Sequence, residues 1–80
     1  MMTLDEYKEK INAMTKEELT EELEMLRESL EDIQLERKLI LGQTGVHINA
    51  GKVEAYRNAF DREASVLEQK INMVEKALGA

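Results

Sequence analysis

Apolar residues recur along most of this chain at alternating steps of four and three, the spacing that keeps side chains on one face of an α-helix. In the middle of the chain the series is Leu19, Leu23, Leu26, Leu30, Ile33, Arg37 and Ile40. In the last third it is Val53, Arg57, Phe60, Ala64, Leu67, Ile71, Val74 and Leu78. A shorter stripe, Leu4, Tyr7, Ile11 and Met14, comes before them. These patterns predict an all-α chain with a single helical domain over residues 1–80: helices at 4–14, 16–41 and 50–78, and a loop at 42–49.

Punctuation along the chain agrees with this division. Thr3 and Thr15 each precede a Glu by three residues, Glu6 and Glu18, the pattern of a capping box in which each side chain satisfies the other residue's orphan N–H. Asp5, Glu6, Glu17 and Glu18 also set negative charge at the positive end of a helix dipole. The chain has no proline, and three of its four glycines, Gly42, Gly45 and Gly51, fall in one short stretch. That stretch is the long loop, with Asn49 as N-cap of the last helix. Its length favours an antiparallel helical hairpin between the two long helices, although the ten residues from Gly42 to Gly51 exceed the usual helix–helix connection of about 2–8 residues.

One seam does not exhaust the apolar surface. Leu35, Leu39 and Leu41 lie off the seam of the second helix, and Ala59, Val66, Met73 and Ala77 form a further stripe on the third. A two-helix hairpin leaves this second face uncovered, so a homodimer or higher homo-oligomer is expected. The alternative is a three-helix monomer whose first helix folds back over that face. Chain size favours association, because below about 70–80 residues a lone core rarely supplies more than about 3–5 kcal/mol. Met14, Met25 and Met73 are expected to fill core or interface.

Composition removes several classes of function. Without cysteine there is neither a disulfide nor a thiolate metal site. The longest apolar run is Leu39-Ile40-Leu41, far short of a membrane span, so a cytoplasmic location is expected. A formal net charge of −6 disfavours general nucleic-acid binding. His47 is the only imidazole and has no ligand-spaced neighbour, so no metal is expected. Glu17, Glu18, Glu21, Glu22, Glu24, Glu28 and Glu31 flank the seam and read as a solvated face, not a metal or acid–base site. All-α nucleotide pyrophosphatases bind Mg²⁺ through a Glu cluster and a Glu-x-x-Asp on the next helix, and the third helix here lacks that pair. No candidate nucleophile remains, and the expectation is a non-enzyme without a cofactor.

Charge is distributed unevenly. Residues 1–35 carry four cations and eleven acids, whereas residues 36–62 carry five cations and three acids. The molecule is an acidic body with a basic, glycine-rich end. Arg37 and Arg57 interrupt the two seams there, and a loop closed symmetrically sets Arg37 opposite Tyr56 and Arg57. Two opposed guanidiniums demand water, a carboxylate or a ligand between them. Glu36, Glu54 or Asp61 could serve, or both side chains could reach solvent.

If a ligand serves, glycine-rich backbone running into a helix start offers N–H groups to an anion, arginine a bidentate fork, and Tyr56 a stacking face. The candidate binding residues are therefore Arg37, Lys38, Thr44, His47, Asn49, Lys52, Tyr56 and Arg57. The expected function is capture of a phosphate-bearing small molecule, such as a nucleotide, at a subunit interface. A protein–protein adaptor or inhibitor using the acidic second helix or the loop end is the alternative. An RNA-binding hairpin dimer ranks third, since the second helix lacks a basic face. In general character the chain is similar to many small phage or bacterial regulators, a likeness that assigns no residue a role.

Overall fold

The computed structural model describes residues 2–42 and 50–79. All three elements are α-helices: α1 (Leu4–Asn12), α2 (Lys16–Gly42) and α3 (Ala50–Ala77). No strand occurs among the described residues, and no helix there is long and apolar enough to cross a membrane. Thr44, His47 and Asn49, including the expected cap of α3, lie outside the described residues.

The two capping sequences behave differently. At α2 the box is complete: Thr15 N–H donates to Glu18 Oε1 at 2.9 Å, and Glu18 N–H donates to Thr15 Oγ1 at 3.2 Å. At α1 only one arm forms. Glu6 N–H donates to Thr3 Oγ1 at 3.2 Å, but the Thr3 hydroxyl, not its backbone N–H, meets Glu6 Oε1 at 3.3 Å. The helix α1 also stops two residues before its apolar stripe does. Ala13 N–H and Met14 N–H bond to the carbonyls of Lys10 and Ile11, a tightened turn that frees Thr15 to start α2. At the other terminus α3 ends at Ala77, and Gly79 takes a left-handed φ of 81° while donating to the Lys76 carbonyl at 3.0 Å. Glycine adopts that conformation without the Cβ penalty that stops other residues.

The helix α3 packs along α2 in the opposite direction. Arg27 lies 3.9 Å from Glu75, and Arg37, further along α2, lies 3.4 Å from Asp61, earlier on α3. The expected register needs a correction of about one helical turn, because Arg37 meets Asp61 and not Arg57. Side-chain direction accounts for part of it. Helical side chains lean toward the N-terminus of their own helix, and in an antiparallel pair the two leans oppose each other. Contacts therefore join residues with higher numbers than backbone level alone indicates.

Both seams face the interior, but burial is graded along them. Leu19, Leu23, Leu26, Ile71 and Val74 are buried, and Val74 is fully enclosed at 0% exposure. Leu30, Ile33, Ile40, Val53, Phe60, Ala64 and Leu67 are only half-buried. The cause of the gradient is α1, which packs against α3 and inserts Tyr7 and Ile11, each 2% exposed, into the core. The single core thus sits at one end of a molecule measuring 50 × 20 × 18 Å. Met14 and Met73 pack against it as expected. Met25 is 54% exposed and lies outside this core.

Two stability predictions follow from these contacts. Thr15→Ala, which breaks a complete box, should cost about 1 kcal/mol, and Thr3→Ala measurably less; chemical denaturation followed by circular dichroism compares them. Tyr7→Ala should cost about 3–5 kcal/mol, as loss of a buried ring does. An unchanged unfolding midpoint for Tyr7→Ala would mean that α1 is not docked.

Candidate functional site

Of the eight candidate binding residues, five are described. Arg37 and Lys38 stand in the last turns of α2, and Lys52, Tyr56 and Arg57 in the first turns of α3. The antiparallel packing brings all five to the same end of the molecule. The other three, Thr44, His47 and Asn49, lie on the undescribed loop.

Arg37 and Arg57 differ in their surroundings. Arg37 NH2 pairs with Asp61 Oδ1 at 3.4 Å, both side chains about half exposed. Of the three acids that could have answered these arginines, Asp61 is the one used. Arg57 precedes Asp61 by one turn on α3 and is exposed, with no ion pair among the described residues. Neither guanidinium is buried, so no desolvated charge requires a guest. An exposed pair of this kind contributes between 0 and about 1 kcal/mol. Lys38 and Lys52 are likewise exposed, and Tyr56 keeps 46% of its surface in solvent. Among the described residues this end presents cations beside an aromatic face.

The acidic face of α2 is solvated at Glu17, Glu18, Glu21, Glu24, Glu28 and Glu31. Backbone donation from Thr15, then its hydroxyl, lowers the Glu18 carboxyl below its ordinary pKa. No group of three or more Asp, Glu or His suited to a metal ion occurs among the described residues.

Glu22 departs from the solvated-face expectation. It is half-buried and accepts a hydrogen bond from the Tyr7 hydroxyl. The Tyr7 ring also lies under two ammonium groups, Lys70 Nζ at 4.9 Å and Lys10 Nζ at 5.8 Å from its centroid. Tyr7 therefore ties α1 to Glu22 of α2 and Lys70 of α3. The sequence held one clue to this pairing: a tyrosine in a buried stripe needs a partner for its hydroxyl. Nothing in the spacing selected Glu22 from the seven glutamates.

A second feature is an apolar groove of about 400 Å³ between α2 and α3, lined by Ser29, Ile33, Arg62, Glu63, Val66 and Leu67. It continues the channel in which α1 lies. At the core end α1 brings Lys8, Ile11 and Asn12 beside Met73 and Ala77 of the expected stripe, leaving Met73 half-buried and Ala77 exposed. Beyond α1 the stripe is open, with Val66 43% exposed. Leu35 and Leu39, the latter 60% exposed, stand on the outer surface of the same half of α2.

The chain matches no known protein family, no curated protein and no solved structure.

Burial first, then the Glu22 hydrogen bond and charge, pushes the Tyr7 phenol above its ordinary pKa of 10.0. A raised folded-state value means that the neutral phenol's contribution is complete below pH about 10 and is lost as the pH climbs beyond it. Thermal stability should accordingly fall on the alkaline side more steeply in the native chain than in Tyr7→Phe. Identical alkaline limbs for the two proteins would contradict this assignment.

Proposed function

We propose that this chain is a non-enzymatic, cytoplasmic, homo-oligomeric binding protein built on a helical hairpin, with the loop end as its recognition site. In this reading it captures a phosphate-bearing small molecule, such as a nucleotide, between subunits and so sequesters it. The observation that carries the proposal is Arg57: an exposed guanidinium without an ion-pair partner among the described residues, near the Arg37–Asp61 pair. Lys38 and Lys52 add charge at that end, and the half-exposed Tyr56 ring offers a base a stacking surface. A phosphate needs the fork geometry of arginine, and a base needs an aromatic face. The acidic remainder of the molecule repels the same ligand, which confines it to one end.

A protein partner is the second reading, favoured by the exposed Leu35 and Leu39 and by the open groove. An amphipathic helix laid into a groove is a common mode of such recognition, and α1 already sits in the adjoining segment in this way.

Calorimetry of the full chain against a nucleotide panel tests the first reading. Heat is expected with at least one member, and Arg57→Ala and Arg37→Ala should each abolish it while leaving helicity nearly intact. Uniform absence of heat would remove nucleotide capture. If a protein partner uses the acidic face instead, its affinity should fall steeply with salt and on charge reversal at Glu21, Glu24 and Glu28.

A further inference from the structure

The open groove beyond α1 has the properties of a surface made for a second copy of this chain. Three observations lead there, all independent of any ligand.

The first is area. The chain exposes 6189 Å², whereas a compact monomer of 9.2 kDa exposes about 4,900 Å². The surplus, about 1,300 Å², exceeds the roughly 800 Å² that each partner contributes to a standard interface. The half beyond the core carries the exposed Leu35, Leu39, Tyr56 and Val66.

The second is the charge on the groove's rim. Arg62 and Glu63 are neighbours in sequence and diverge by about 100° around the helix, so they do not satisfy each other. Among the described residues neither has an ion-pair partner, and Val66 lies between their directions one turn on. A two-fold interface requires a patch complementary to itself. One cation and one anion beside an apolar centre meet that requirement, because Arg62 of each copy can face Glu63 of the other.

The third is the charge of the whole chain. Residues 1–24, which contribute nothing to the groove's lining, hold eight acids against three cations. Two copies overlapping through their open halves in antiparallel fashion hold these acidic ends apart. Overlap through the core ends would force them together.

We infer that this groove, centred on Val66 with Ile33 and Leu67 as its floor and Arg62 and Glu63 on its rim, is a two-fold self-association surface. It seats the same surface of a second chain. The inference rests on the homo-oligomeric part of the function proposed above and specifies which face forms the contact.

Sedimentation velocity on the full chain, with circular dichroism as a folding control, provides the test. The native chain should sediment as an assembly of even subunit number. Val66→Glu should shift it to single chains without loss of helicity. Arg62→Glu should weaken association about tenfold or more. The double variant Arg62→Glu/Glu63→Arg should restore it, since the pair is only exchanged. This rescue uses surface residues and remains decisive if Val66→Glu fails to fold. Single chains for the native protein at the highest concentration reached would overturn the inference. So would an assembly indifferent to all three variants, which would show that copies join through another face. Nucleotide calorimetry on the same variants separates the two proposals: heat retained by a single-chain Val66→Glu leaves the groove contact standing and removes capture between subunits, whereas heat from a native chain that sediments singly refutes the groove while preserving the recognition end.

Discussion

The seat of Tyr7 is the constraint on which the rest of this structure depends. A two-helix pair of this length has a seam but no enclosed interior, and its residues remain half in water wherever nothing covers them. Where α1 lies over the pair, Tyr7 and Ile11 close the seam and Leu19, Leu23, Leu26, Ile71 and Val74 become a core. The Tyr7 ring brings the area, its hydroxyl finds Glu22, and Lys70 faces its π surface. Burial without these partners would leave a phenol hydroxyl unsatisfied, a cost of about 1–3 kcal/mol. One side chain thus fixes all three helices together.

Because α1 is short, it covers only part of the channel between α2 and α3. The molecule is consequently divided into a closed, acidic end and an open end with basic side chains. Along the open half the seam positions are still apolar, but they stay half-exposed, and Arg37 and Arg57 can occupy seam positions at little desolvation cost. The same lack of cover leaves Val66 in the groove facing solvent, while Leu35 and Leu39 are exposed on the outer surface of α2. Openness at this end is what both proposals draw on: cations and an aromatic face at the tip, and an apolar channel behind it.

The candidate site was legible in the sequence only as a place. Charge counting along the chain located the basic end, and antiparallel packing brings its described residues together. Which acid answers Arg37 was not legible. Arg37 could meet Glu36, Glu54, Asp61 or a guest, and the choice of Asp61 follows from a displacement of about one turn that spacing does not encode. Glu22 was hidden for a similar reason. On α2 alone it is one of a run of similar acids, and only the approach of α1 distinguishes it.

Helix identity, the packing faces and the start of α2 are properties of the chain itself. They arise from local periodicity and from groups three or four residues apart, such as Thr15 and Glu18, which meet whenever the helix forms. The placement of α1, the register of α3 on α2 and the position of the open groove are tertiary decisions. Each depends on contacts between residues far apart in sequence, whose energies compete and whose outcome no local pattern contains.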